Sequence, residues 1–250
     1  MPAYEGVLLD LFGTLVHFDP ARLPVVRVGA RDVPSTLPAL DELLATHAPG
    51  VVPAAFRQAL GAVSEELARE RMQDHVERPS SERFRRALAL VGCTGEVSES
   101  AGAALARVHH RTLAAATVLP AAHGMLLDDL RRRHHRLAVV SNFDDTAGAY
   151  DVLERHGILA RVDAVVVSER VGLRKPHPLM VQTALRMLEV PGSSSVLVGD
   201  TFAEDVAAAH AAGIDAAWID RDGQGVPAAA TPPRFVLRTL PELGTVLAAD

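Results

Sequence analysis

Asp10, Thr14, Ser141, Asn142, Lys175, Asp200 and Asp205 are the residues of this 250-residue chain whose types and placement could do chemistry together. Each stands at or just past the C-terminal end of a short apolar run. In an open parallel sheet that edge is where ligands bind. Singly, each has an ordinary explanation: a Ser-Asn pair ends many strands in a turn, and Gly-Asp often opens a helix. Their joint occurrence at the ends of successive runs is the specific signal. Three carboxylates against one ammonium would leave such a site with a charge of about −2, repelling an anionic ligand unless a divalent cation intervened.

The runs that must position them are "GVLLDLF" (6–12), "RLAVVSN" (136–142), "AVVVSE" (164–169), "SVLVGD" (195–200) and "AAWID" (216–220). Nearly continuous apolar strands are what a parallel sheet covered on both faces requires. Helical patterns alternate with them over 123–135, 146–157, 179–188 and 203–213. The alternation predicts βαβ units in an α/β fold with a Rossmann-like open parallel sheet.

One gap interrupts the alternation, because no second strand begins until about residue 136. The gap opens with "RLPVVRVGARDVPST", which predicts a β-hairpin with Gly29-Ala30 at its turn. Helical patterns follow over 37–47, 53–73, 80–92 and 97–114, with Ser35 and Thr36 as N-cap candidates for the first. These four helices predict a bundle inserted into the α/β domain. The expected division is therefore 1–16 and 116–250 as the core, and 17–115 as hairpin plus bundle.

Composition excludes several classes. With 31 acidic against 25 basic residues the net charge is −6, and no long basic stripe exists to neutralise phosphates, so no nucleic-acid partner is expected. The dense "LRRRHHR" (130–136) suits the solvated C-terminal end of a helix. Every apolar run is far shorter than the roughly 20 residues that span a bilayer, so no membrane role is expected. "MPAYEG" lacks a basic region leading into an apolar stretch, so no signal peptide is expected. Cys93 is the sole cysteine, which points to a buried thiol in a reducing, cytoplasmic setting.

At the strand ends the chain resembles the haloacid dehalogenase-like hydrolase superfamily over nearly its whole length. "LLDLFGTLV" (8–16) resembles the nucleophile motif and "LAVVSNFDD" (137–145) the second motif. "GLRKPHPLMVQTAL" (172–185) resembles the lysine motif and "VLVGDTFAEDVAAAHAAG" (196–213) the acidic one, while "LPAAHGMLLDDL" (119–130) is similar to the helix before motif two. The inserted bundle is where a C1-type cap would sit, and its "ERFRRAL" (82–88) is similar to the phosphatase and dehalogenase branch.

The resemblance implies that Asp10 is a nucleophile forming a covalent aspartyl intermediate. Thr14 and Ser141 would hold the oxygens of the transferred group, Asn142 would hold the site or substrate, and Lys175 would neutralise developing charge. It implies a Mg²⁺ site made of Asp10, the backbone carbonyl of Phe12 and Asp200, with Asp205 acting one layer out or through water. Glu204 is the alternative to Asp205, with a solvated position expected for it.

Phe12 departs from the pattern. Phosphatases of the family carry a second Asp there, which protonates the leaving group and then activates water; Phe12 moves no proton, a loss of about 10²–10⁴-fold. Three readings stay open: a phosphatase on a small phosphorylated metabolite, a 2-haloacid dehalogenase, and a catalytically weak protein that binds or regulates through phosphometabolites. His17 is the nearest substitute proton donor, and Arg57 resembles the carboxylate- or halide-binding arginine of the dehalogenases. The −2 charge and Asp200 favour the metal-dependent phosphate site. Arg22, Arg27 and Arg31 could meet a second anionic group, although surface positions suit them. The histidine pairs 109–110 and 134–135 are no metal sites, since adjacent helical residues diverge.

Overall fold

The computed structural model describes residues 4–28 and 31–249. By packing it divides into two units: the chain up to His17, Val118–Phe143 and the part from Leu153 onward form one, while Phe18–Thr117 and Asp144–Val152 form the other.

The first unit is built on β1 (Gly6–Leu9). After it come β2 (His17–Phe18), β3 (Val25–Val28), β4 (Arg31–Pro34), α1 (Leu37–His47), α2 (Pro53–Asp74), α3 (Ser80–Leu90), α4 (Gly95–Ala115) and β5 (Thr117–Val118). Then follow α5 (Ala121–Arg132), β6 (Arg136–Ser141), α6 (Thr146–Arg155), β7 (Ala164–Val167), α7 (Ser168–Val171), α8 (Leu179–Leu188) and β8 (Ser195–Gly199). A π-helical turn (Phe202–Val206), α9 (Ala207–Ala211), β9 (Asp215–Ile219), β10 (Phe235–Leu237) and α10 (Leu243–Ala249) complete the chain.

Six strands form one parallel sheet in the order β10-β9-β8-β1-β6-β7. Leu8 lies in register with Ala138 on one side and Leu197 on the other. With Val140, Val166 and Trp218 these residues pack against Met180, Val181 and Ala184 of α8 and Ala208 and Ala209 of α9. Val7, Leu9, Leu137 and Val139, of the opposite parity, are equally buried. Burial on both faces explains the unbroken apolar runs. From β1 the chain goes to β6 and β7 on one side, then returns to β8, β9 and β10 on the other. The switch falls between β1 and β8, so a crevice is expected at the carboxyl ends of these two strands.

In the second unit β3 and β4 pair antiparallel, from Val25 opposite Pro34 to Val28 opposite Arg31. Gly29-Ala30, expected at this turn, lies outside the described residues. The core of α1–α4 follows helical spacing: Phe56, Ala59, Val63 and Leu67 of α2 meet Leu40, Leu44, Phe84, Leu88, Ala101 and Leu105. Cys93 is partly buried against this cluster. At α1 Ser35 Oγ accepts from the Leu37 amide at 3.2 Å, whereas Thr36 Oγ1 lies 2.8 Å from His109 Nδ1. Of the two candidates, Ser35 caps the helix.

One group of polar side chains inside this unit is linked by close contacts. Arg71 reaches Glu77 at 3.0 Å and Asp144 at 3.2 Å, and His110 Nε2 lies 3.3 Å from Asp144. The Ser80 amide also donates to the Asp144 carbonyl at 2.8 Å. These contacts tie 144–152 to the helices. Despite burial, His110, Arg83 and Arg71 hold the Asp144 carboxyl well below the usual range.

His109 packs edge-on against Phe84, with ring centroids 5.5 Å apart. Burial, helped by the Arg83 and His110 charges, pushes its pKa down to about 3. The folded protein thus keeps it neutral where the unfolded chain, near 6.5, takes a proton. Stability should fall as pH drops from 6.5 toward 3, by up to about 1.4 kcal/mol per pH unit from this one group. Urea unfolding of His109→Asn between pH 7 and 5 should show a shallower decline than the parent; an equal slope would remove His109 as its source.

Candidate active site

The sheet's carboxyl edge brings together most of the residues singled out from sequence. Asp10 continues β1, its amide donating to the Val198 carbonyl at 2.9 Å. Lys175 lies 1% exposed, its ammonium donating to Asp10 Oδ1 at 2.7 Å, Asp205 Oδ1 at 2.6 Å and the Val140 carbonyl at 2.8 Å. All three ammonium protons are used. Burial opposes the charge on Lys175, but Asp10 and Asp205 outweigh it and keep the amine protonated well above neutrality. Burial pushes the Asp205 carboxyl up against the pull of Lys175.

Two glycines make this crowding possible. Gly13, at φ +89°, faces Asp200 so closely that a Cβ would strike its carboxylate. Gly199, ending β8, leaves the space that the Asp205 side chain fills. The π-helical turn after β8 lets the Asp205 amide donate to the Thr201 carbonyl at 2.7 Å, while Asp205 Oδ2 accepts from the Thr201 amide at 2.9 Å. Such turns are rare and recur at functional sites.

Carboxylate oxygens of Asp10, Asp200 and Asp205 lie within 4.8 Å of one another. Burial first, then the Asp10 charge, raises the Asp200 pKa. Thr14 Oγ1 and Ser141 Oγ are buried with no hydrogen-bond partner among the described residues. A hard oxygen-rich cluster, with two unsatisfied hydroxyls in the segments that follow β1 and end β6, suits a divalent cation such as Mg²⁺ and an oxyanion.

Other candidates are placed differently. Asn142, expected to hold the site or substrate, contacts the site: its Nδ2 donates to the Lys175 carbonyl and to Glu204 Oε2, both at 2.9 Å, and its Oδ1 accepts from the Lys175 amide at 2.7 Å. It therefore fixes the Lys175 backbone with an amide already occupied. Glu204, expected in solvent, is half-buried and also paired with Arg174 at 3.2 Å. His17 stacks edge-on with His123, centroids 5.4 Å apart; burial, Arg221 and His123 lower its pKa. Arg57 pairs with Asp41 at 3.1 Å, Arg22 with Asp19 at 3.1 Å and Arg27 with Asp32 at 3.0 Å; Arg31 is exposed. His135 is bound to the Tyr4 carbonyl at 2.7 Å, while His134 is exposed.

Three site-edge residues escaped the sequence reading. Arg221, just past β9, contacts the Gly13 carbonyl and stands 3.5 Å from Asp200 Oδ2. Trp218 donates to the Asp200 carbonyl at 3.1 Å. Ser168 Oγ accepts from the Phe143 amide at 2.9 Å. The strand-end rule that found Asp200 would have flagged Arg221, but "DRDGQG" reads locally as a turn.

The haloacid dehalogenase-like hydrolase family matches residues 4–213, and the chain belongs to that family. It is 31% identical to the plasmid phosphoglycolate phosphatase of Cupriavidus necator over 212 residues, 82% of this chain and 90% of that one. With the glyceraldehyde 3-phosphate phosphatase of Methanothermobacter thermautotrophicus the identity is 36% over 96 residues, 38% of this chain. That match spans only 42% of the archaeal enzyme's length. Among solved structures, a 2-haloacid dehalogenase from Pseudomonas syringae pv. Tomato superposes with TM-score 0.75 at 25% identity, covering 98% of this chain and 99% of that one. The protein is a hydrolase of this family, with phosphatases and dehalogenases among its relatives. No described helix is long and apolar enough to cross a membrane.

The Lys175 contacts generate a stability prediction. Lys175→Met leaves Asp10 and Asp205 buried without their cation, which should cost about 3–5 kcal/mol at pH 8. The deficit should shrink toward pH 5.5, because the variant's buried carboxyls take up protons that the unfolded chain does not. Urea unfolding at both pH values checks this, and a pH-independent deficit would contradict it.

Proposed function

We propose that the protein is a Mg²⁺-dependent phosphatase acting on a small phosphorylated metabolite, with Asp10 as nucleophile. The observation that carries the reading is the three-carboxylate cluster of Asp10, Asp200 and Asp205, two of which, Asp10 and Asp205, hold the Lys175 ammonium. Asp10, Asp200 and the Phe12 carbonyl would hold the ion, with Asp205 acting through Lys175. Bound Mg²⁺ supplies the positive charge that lets a phosphate dianion approach an acidic site.

The residues divide the work as follows. Lys175 holds one Asp10 oxygen, which orients the carboxylate and leaves its other oxygen to attack phosphorus. The bond from phosphorus to the leaving oxygen breaks, and the electron pair departs with that oxygen. Thr14 and Ser141 donate to the phosphoryl oxygens as charge redistributes. Water then attacks phosphorus, the bond from Asp10 oxygen to phosphorus breaks with its electron pair returning to the carboxylate, and water's protons leave with the phosphate or pass to solvent. Phe12 supplies no proton to the first step and no base to the second. The helical unit takes the part of a C1-type cap, and the setting is the cytoplasm. Against the expected 17–115 this unit runs over Phe18–Thr117 and takes in Asp144–Val152, which leaves the chain up to His17, Val118–Phe143 and the part from Leu153 onward as the core.

The relatives' names point to alkyl phosphates, whereas Phe12 favours leaving groups that depart without protonation, such as aryl or acyl phosphates. Phe12 also favours a second reading, 2-haloacid dehalogenation, because halide needs no proton.

Aryl phosphate, alkyl phosphate and 2-haloacids, assayed with and without Mg²⁺ and with Asp10→Asn as blank, separate the readings. Phosphate release that requires both metal and Asp10 is expected. Metal-independent halide release would replace it with dehalogenation, and silence on all three would leave a binding role. Phe12→Asp should raise alkyl phosphate turnover by about 10²-fold or more; no rise would remove the leaving-group argument.

A further inference from the structure

Phe12 does not stand alone beside the nucleophile. Its ring packs on Phe143 with centroids 4.5 Å apart and planes tilted by 33°. The pair bridges the loop after β1, which carries Asp10 and Thr14, to the segment after β6, which follows Ser141 and Asn142. Both rings are only partly buried. Phe143 is held by main-chain contacts: its amide donates to Ser168 Oγ at 2.9 Å, Ser168 Oγ donates to its carbonyl at 3.2 Å, and the Glu169 amide donates there at 3.3 Å. Ser168 itself is fully buried. With its backbone fixed in this way and its side chain only partly buried, Phe143 is suited to contact with a ligand.

We propose that Phe12 and Phe143 form a binding subsite for the leaving group of the substrate, that this subsite selects an aromatic ring, and that Phe143 is the residue setting this preference. The inference rests on the phosphatase reading above and goes beyond it. Phe12 alone, as a missing proton donor, favours any leaving group of low basicity, aromatic or not. The aromatic pair adds a preference for shape and polarisability. An offset or edge contact with a third ring is worth a several-fold change in binding beyond burial itself.

Phenyl phosphates and acetyl phosphate separate the two effects, because both leave readily but only the first carries a ring. In Phe143→Ala the ratio of kcat/KM for 4-nitrophenyl phosphate to that for acetyl phosphate should fall about three- to tenfold, mainly through KM for the aryl substrate. Phe143→Trp should restore most of it. Equal losses on both substrates, with thermal melting also lowered, would make Phe143 a purely structural residue and overturn the proposal. An unchanged ratio in a well-folded variant would also overturn it. Absence of turnover by the parent on both phosphates would instead defeat the phosphatase reading, and phenol binding measured directly on parent and Phe143→Ala then tests the subsite. Weaker binding in the variant supports the subsite and equal binding rejects it.

Discussion

A buried ammonium shared by two carboxylates is the constraint on which the rest of the site depends. Lys175 sits between Asp10 and Asp205 at 2.7 and 2.6 Å with almost no solvent. Removing such charges from water costs several kcal/mol per ion, and attraction offsets this only when the geometry is tight and every proton is used. The third proton goes to the Val140 carbonyl, so the C-terminal edge of β6 is part of the ion pair's geometry. The backbone of Lys175 is fixed in turn by the two-way amide contact with Asn142. Gly199 leaves the space in which Asp205 stands. A fold assembled only for stability would do as well with apolar groups in these places, which makes the retained charges a matter of what they orient.

The parallel sheet follows from the same demand. Asp10, Val140, Lys175 and Asp205 come from widely separated parts of the sequence. Parallel strands deliver their polar ends to one edge, whereas hairpins would alternate the edges. The switch in strand order between β1 and β8 opens room at that edge where Asp10 and Asp200 emerge. Gly13 in its left-handed conformation folds the chain after β1 back beneath Asp200. Arg221, arriving from the end of β9, adds a cation on the outer side of Asp200 and opposes the rise that burial gives that carboxyl.

Much of this was legible in the sequence because its causes are local. The runs at 6–12, 136–142, 164–169, 195–200 and 216–220 read as strands since both faces of each are buried. The helices over 37–47 and 53–73 were legible from the recurrence of apolar residues at three- and four-residue spacing. β10 was not legible: Phe235–Leu237 is an edge strand whose apolar run is only three residues long, too short to stand out from the surrounding loop. Arg221 escaped, and the buried place of Glu204 was missed, for a different reason. What makes them matter is a partner far along the chain, Gly13 for one and Asn142 for the other, and neither residue's neighbours encode that contact. Asp144 is the same case, lying beside motif two yet bound to Arg71 and His110 of the helical unit.

Phe12 weighs unequally on the two halves of the proposed reaction. In the first half the missing proton is a property of the pair formed by enzyme and substrate, and a leaving group of low basicity removes the need for it. In the second half the nucleophile is always water, whose proton must go somewhere, and no choice of substrate changes that. The nearest charged groups cannot take it readily: Lys175 is already protonated and tied to three acceptors, Asp205 is tied to Lys175 and the Thr201 amide, and in the proposed reaction Asp200 would be engaged with the ion. In the proposed reaction, the stage after phosphoryl transfer is therefore where the Phe12 side chain would act most strongly. A site that is fully ordered for forming the aspartyl phosphate and poorly equipped for hydrolysing it would dwell in the covalent state, whichever substrate had filled it.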